Sequence, residues 1–144
     1  MNTLLIFIWI IAAFICMAFW EAYVEGKHPW AKKALGWRKR ITKRYVLTAY
    51  HFWVNLMFAF LISLPLVVYG WNSELAGVLI SAGVIGLIVE DFLWFIVNPF
   101  WNLKKFNSKA VYWYHWIKIG KFEIPWGYVI GIAIAVLSGI FLWF

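Results

Sequence analysis

The sequence has very little cysteine and very little negative charge. Its 144 residues include one Cys and six Asp or Glu, against 13 Lys or Arg. The single thiol, Cys16, excludes an internal disulfide and a cysteine-based zinc cluster. The chain also lacks a Gly-rich phosphate loop, a Gly-x-Ser-x-Gly nucleophile motif, His-rich boxes and paired Asp-rich boxes. Several common enzyme classes are thereby excluded, and any chemistry must depend on a few polar residues.

Apolar and aromatic residues make up most of the chain. Hydrophobic residues account for 65% of it and aromatic residues for 22%, with a mean hydropathy of +0.80. This composition is typical of a polytopic membrane protein. Four apolar runs are each long enough to cross about 30 Å of hydrocarbon as a helix. We therefore predict a single all-α transmembrane domain, residues 1–144, built as a four-helix bundle with spans at about 3–23, 45–69, 75–98 and 124–144.

The positive charges predict the orientation of these spans. All 13 Lys and Arg residues fall in two loops, 26–44 and 99–123, and none falls in the connection 70–74. The positive-inside rule then places both loops in the cytoplasm and both termini outside. No basic residue precedes the first apolar run and no small-x-small cleavage site follows it, so we expect that run to be retained as a helix. The predicted location is an inner or plasma membrane.

The net charge of +7 points to lipid rather than nucleic acid. The basic residues flank the spans, and no RNP-type aromatic motif or basic DNA-binding helix accompanies them. We expect the loops to contact anionic lipid headgroups and expect no nucleic acid partner. Gly77, Gly83 and Gly86 in the third span favour close helix approach, either within one bundle or between copies in a homo-oligomer.

The segment 88–99, IVEDFLWFIVNP, places two carboxylates in an apolar span. A charged residue at a helix centre costs about 2.5–3.5 kcal/mol even on insertion scales. Glu90 and Asp91 therefore predict an inward-facing polar site, and helical spacing places Asp91, Trp94 and Asn98 on one face. The alternative is that both carboxylates pair with Lys residues near the membrane surface.

Further polar residues lie at the end of the first span and at the start of the second. Glu21, Glu25 and His28 form one helical stripe, and Glu25 and His28 have the Glu-x-x-His spacing of di-iron bundles. The motif occurs once rather than twice, and Pro29 disfavours helical geometry at His28, so a solvated helix end is the alternative. His51 lies inside an aromatic apolar segment, which predicts either a metal ligand or base, or a neutral side chain bonded to a carboxylate.

In the predicted topology these groups converge at the cytoplasmic end of the bundle. Imidazoles and carboxylates at one depth suit metal binding or acid/base chemistry. The leading hypothesis is a metal-dependent enzyme acting on a lipid or apolar substrate, with a divalent or iron-type ion. The predicted metal ligands are Glu21, His51, Asp91 and His115, the catalytic residues Glu90, Glu25 and His28, and the substrate-pocket residues Asn55, Trp94 and Asn98.

Two alternatives are of other classes. His51 and His115 could supply two axial imidazoles to haem in an electron carrier. The second alternative is a small proton-coupled transporter or an oligomeric interaction protein, in which Glu90 or Asp91 would be the proton-linked group.

The two predicted hairpins resemble one another. Glu21 is followed after six residues by His-Pro-Trp at 28–30, and Asp91 is followed after six residues by Asn-Pro-Phe at 98–100. This similarity indicates a duplication of the parallel kind, although chance matches arise easily in so aromatic a chain. Within the second basic loop, residues 107–121 interleave aromatic residues with Lys, which predicts an interfacial amphipathic helix containing His115.

Overall fold

The computed structural model describes residues 2–30, 33 and 35–144. These residues form four α-helices: α1 (Thr3–Glu25), α2 (Ala49–Tyr69), α3 (Ser73–Val97) and α4 (Trp126–Ser138), the last continuing as a π-helix over Gly139–Trp143. Each is long and apolar enough to cross a membrane, counting α4 with its π-helical end. The predicted four-helix, predominantly helical architecture is confirmed.

Side-chain caps set where three of the helices begin. Asn2 accepts a hydrogen bond from the Leu5 amide at 3.1 Å, and Asn72 accepts one from the Leu75 amide at 2.7 Å. Thr48 accepts one from the His51 amide at 3.3 Å, so α2 begins at Ala49. The predicted start at 45 was too early, because residues 46–48 pair as a strand.

Each of the two long loops contains a short β-hairpin, so the chain is not purely α-helical. Strands β1 (Arg38–Arg40) and β2 (Val46–Thr48) pair antiparallel, as do β3 (Trp116–Ile119) and β4 (Phe122–Pro125). The second strand of each hairpin leads directly into a helix. The order helix, loop, hairpin, helix therefore occurs twice, while the duplication itself stays a prediction.

The predicted interfacial helix over 107–121 is wrong. Turns and strand β3 occupy this segment. The Asn107 side chain accepts hydrogen bonds from the Lys109 and Ala110 amides at 3.0 and 3.1 Å, which favours a turn. Gly120 then adopts a φ of 61° between the strands, a conformation that suits glycine.

Helices α1 and α3 form the central pair, α4 packs on α3, and α2 lies beside them. A Cβ added to Gly86 would lie 2.0 Å from Phe14 Cδ2, and one added to Gly77 would lie 2.6 Å from the Trp143 amide nitrogen. At Gly83 the nearest atom, Ile62 Cδ1, is at 3.6 Å, an ordinary contact. Two of the three predicted glycines therefore permit close backbone approach within this chain.

The second hairpin is anchored by Glu123. Its carboxylate accepts hydrogen bonds from the Ser108 amide at 2.6 Å and the Ser108 hydroxyl at 2.9 Å, and Lys118 Nζ lies 3.3 Å away. The hydrogen bond from the Ser108 amide is the main reason that the pKa of the Glu123 carboxyl lies below its ordinary value of 4.5. A lowered pKa means that this anchor stabilises the fold above the unfolded-state pKa and is lost as pH falls through the folded-state pKa.

We therefore expect the Ser108 amide proton, followed by NMR during acidification, to titrate with a midpoint below 4.5. Glu123→Gln should abolish that titration, because the amide side chain carries no ionisable carboxyl. A midpoint at or above 4.5 would contradict the role given to Ser108.

Candidate functional site

A cavity of about 520 Å³ lies at one end of the bundle, where α1 and α3 end and α2 and α4 begin. All four helices and both hairpin-bearing loops contribute to its walls. We call it the site cavity, and the residues important here are Glu21, Glu25, Trp30, Tyr45, His51, Glu90, Asp91, Trp94, Trp113, Tyr114, His115, Trp126 and Tyr128.

Three glutamates are buried in this cavity although they belong to apolar helices. Glu21 is 7% exposed, Glu25 9% and Glu90 7%. The Glu21 and Glu90 side chains interact across the α1–α3 contact. No Lys or Arg among the described residues forms an ion pair with Glu21, Glu90 or Asp91. The expectation of an inward-facing acidic site therefore agrees with the packing, and the described residues show no pairing of these three carboxylates with Lys.

Asp91 is held by two tyrosines. Tyr114, in the turn before β3, donates to one carboxylate oxygen, and Tyr128, in the first turn of α4, donates to the other. Burial, followed by the adjacent Asp91 carboxylate, raises the pKa of the Tyr114 hydroxyl well above 10, so it remains a donor at neutral pH. These bonds fix the orientation of Asp91 and link α3 to α4.

His51 is held from three sides. Its Nδ1 hydrogen-bonds Thr48 Oγ1 at 2.7 Å, and its Nε2 lies 3.5 Å from Glu25 Oε1. The Trp30 ring stacks on the imidazole with centroids 4.2 Å apart, and Trp30 Nε1 donates to the Val46 carbonyl at 2.6 Å. Trp30 has a φ of 59°, which is unusual for a bulky residue and tends to occur at functional sites.

The predicted substrate-pocket residues have different positions. Trp94 lines the site cavity and is 5% exposed. Asn55 also lines it, while its side-chain amide donates to the His51 carbonyl at 2.7 Å. Asn98 is 2% exposed but is not among the lining residues, because its amide donates to the Gly26 carbonyl at 2.9 Å. Asn98 therefore joins the ends of α1 and α3.

The other two histidines predicted as site residues, His28 and His115, contribute less to the site cavity than His51. His28 follows the end of α1, is half-buried and does not line the site cavity. His115 lines the cavity but is exposed, and its carbonyl accepts a hydrogen bond from the Trp126 amide at 2.7 Å.

The predicted metal ligands Glu21, His51, Asp91 and His115 do not form a metal centre. Within 2–30, 33 and 35–144, no group of three or more His, Cys, Asp or Glu side chains could hold a metal ion. Tyrosines bond both oxygens of Asp91, and Thr48 and Glu25 flank the His51 ring nitrogens. The metal and haem hypotheses stay predictions without support from this geometry.

The opposite half of the bundle holds an apolar cavity, unlike the end with the site cavity. A cavity of about 610 Å³ there is lined only by apolar side chains of the described residues. The transporter hypothesis, which needs polar groups along a path, therefore has no support at that end and also stays a prediction.

Sequence reasoning missed both tyrosines that bond Asp91. The sequence offered one signal, since the pair Tyr-His occurs at 50–51 and again at 114–115, and Tyr50 lies near Glu21 much as Tyr114 bonds Asp91. The equivalence is partial, because Tyr50 is in the first turn of α2 whereas Tyr114 precedes β3.

No protein-family model matches this chain, and no curated protein and no solved structure matches it either. The function must therefore be argued from the site itself.

Proposed function

We propose that this protein is a membrane-embedded enzyme that performs acid/base chemistry on a lipid or other apolar substrate. The observation that carries the proposal is the site cavity, which gathers four carboxylates and a buried imidazole among aromatic walls at one end of the helices. A concave, mostly apolar pocket with a few convergent polar groups is the usual form of a small-molecule site.

The outer surface supports the membrane location. Trp9 is 75% exposed, Val67 78% and Phe141 76%, each on a different helix. Apolar surfaces of this extent are rare on water-soluble monomers and suit contact with lipid. The basic loops lie at the same end as the cavity, so the positive-inside rule favours a site that opens toward the cytoplasmic leaflet, beside anionic headgroups.

The side chains suggest a division of roles. His51 bonds Thr48 through one ring nitrogen and faces Glu25 with the other, so its proposed role is to orient the Glu25 carboxylate and to exchange a proton with it. Asp91 is the proposed acid/base group: Tyr114 and Tyr128 donate their hydroxyl protons to its two oxygens and so orient it, while each carboxylate oxygen keeps a second lone pair that can accept a proton. These roles are assigned to side chains alone, since the described residues do not form a metal-binding group.

The test is to incubate the purified protein, in mild detergent, with a total membrane lipid extract and to follow lipid masses with time. We expect a lipid whose mass changes with the wild-type protein, and Asp91→Asn to slow that change by about 100-fold or more, as loss of an acid/base group typically does. Glu74→Gln is the matched control, since Glu74 is a carboxylate at the opposite end of α3.

Two results would contradict the proposal: no lipid changed by folded wild-type protein, or an Asp91→Asn rate equal to that of Glu74→Gln. Metal content should be measured on the same samples. Near-stoichiometric iron, zinc or manganese that disappears in His51→Ala would replace the metal-free proposal by the metal-dependent one.

A further inference from the structure

We propose that the site cavity binds an organic cation, an ammonium or quaternary ammonium group at the polar end of an amphiphile that also carries a hydrogen-bond acceptor. This inference rests on the proposed function for its site and names the class of substrate.

Charge balance is the first argument. Glu21, Glu90 and Asp91 line the cavity, and no Lys or Arg among the described residues lines it with them. Buried carboxylates are costly unless a cation or a proton neutralises them. No described Lys or Arg forms an ion pair with these three carboxylates, so a positive ligand or protons would have to neutralise them.

The aromatic walls favour a ligand over protons alone. Rings of Trp30, Tyr45, Trp113, Tyr114 and Trp126 line the cavity together with the carboxylates. Aromatic faces attract cations, and cages of such rings recognise quaternary ammonium groups. A metal ion would instead require a set of oxygen and nitrogen ligands, which the described residues do not form.

An unsatisfied donor provides an independent observation. Trp94 lines the cavity and is 5% exposed, and its Nε1 has no hydrogen-bond partner among the described residues. The indole N–H can only donate, and a buried donor without an acceptor is unfavourable. An oxygen carried by the ligand, such as a hydroxyl or a phosphate ester, would satisfy it.

The dimensions and surroundings fit an amphiphile. A volume of about 520 Å³ is within the usual range for small-ligand sites. Strand β1, with basic residues Arg38–Arg40, pairs with β2, which leads directly into the helix that holds His51. A phosphate next to the ammonium group would therefore lie near positive charge, whereas a simple amine amphiphile would not need it.

The experiment titrates two probes into the protein in neutral maltoside micelles and follows tryptophan fluorescence. Dodecyltrimethylammonium carries the cation alone, and dodecylphosphocholine carries the cation and a phosphate. We expect saturable binding of at least one probe and a Kd at least tenfold higher in Glu21→Gln/Glu90→Gln. Glu74→Gln should change the Kd by less than twofold, because it removes a carboxylate far from the cavity.

The outcomes identify the kind of ligand and test the cation site. Tighter binding of dodecylphosphocholine, weakened by Trp94→Phe, identifies a phospholipid headgroup as the source. Binding of dodecyltrimethylammonium alone supports the cation site and overturns the acceptor assigned to Trp94. Equal affinity of the double variant and wild type, or no saturable binding by folded wild type, overturns the inference. If the double variant does not fold, Glu90→Gln alone takes its place under the same criterion.

Failure of this inference is distinguishable from failure of the proposed function. Probe binding without turnover of any lipid would leave the cation site standing and overturn the enzyme. Turnover of a lipid that has no amino or ammonium group would support the enzyme and overturn the cation site.

Discussion

Gly86→Ala is expected to lower the free energy of unfolding by about 1–3 kcal/mol or more, the range of overpacked cores. The added Cβ would lie 2.0 Å from Phe14 Cδ2 and 2.7 Å from Phe14 Cγ. Phe14 is 1% exposed and its ring packs against Phe58 with centroids 5.2 Å apart. Either the Phe14 ring would have to leave this contact or helices α1 and α3 would have to separate, and thermal unfolding in detergent, followed by circular dichroism, would measure the loss.

Gly83→Ala is the matched control in the same helix. Its Cβ would meet Ile62 Cδ1 at 3.6 Å, and alanine gains about 1 kcal/mol of helix propensity over glycine. We expect this variant to be neutral or stabilised. Combining Gly86→Ala with Phe14→Leu should recover part of the loss, because the smaller side chain leaves room for the methyl group. A Gly86→Ala protein as stable as Gly83→Ala would contradict the close packing described here.

Asn98→Ala is expected to cost about 2–4 kcal/mol, since it leaves several buried groups without partners. The Asn98 amide donates to the Gly26 carbonyl at 2.9 Å and approaches the Ala22 carbonyl at 3.5 Å, and its oxygen accepts from the Phe100 amide at 2.9 Å. These bonds join the ends of α1 and α3. Because Glu21 and Glu25 lie in the last turns of α1, the variant should also weaken function at the site cavity.

Asn102→Ala supplies the comparison. Asn102 is exposed and its side chain accepts a local bond from the Lys104 amide, at 3.1 Å. A surface change of this kind typically stays within about 0.5 kcal/mol. Equal unfolding temperatures for the two variants would show that Asn98 does not join the helices.

The helices could be predicted from the sequence to within a few residues, because long apolar runs determine them locally. The errors occurred in the loops, where residues 46–48 and 107–121 form strands and turns rather than helix. Interleaved aromatic and basic residues fit an interfacial helix and a twisted hairpin about equally well, so the pattern could not distinguish them. Hairpin pairing and the turn at Asn107 decided the outcome.

Part of the candidate site could also be predicted, because some of its residues are recognisable from the local sequence. Glu90, Asp91 and His51 stand out because polar residues in apolar spans are costly and therefore uncommon. Their partners do not stand out: Tyr128 is 37 residues from Asp91 along the chain, and tyrosine is frequent in this sequence. Apart from the partial match between Tyr50 and Tyr114, composition and spacing did not indicate which of the seven tyrosines would bond a carboxylate.

By itself, the sequence determined the number of helices, their apolar character and the confinement of basic residues to two loops, because hydropathy and charge are local properties of the chain. Only the tertiary structure decided which surfaces meet. It paired α1 with α3 through Gly86, placed Glu21 beside Glu90, gave Asp91 its two tyrosines and left Trp94 Nε1 without a partner among the described residues. Such contacts depend on packing between residues far apart in the chain, and local patterns do not encode them.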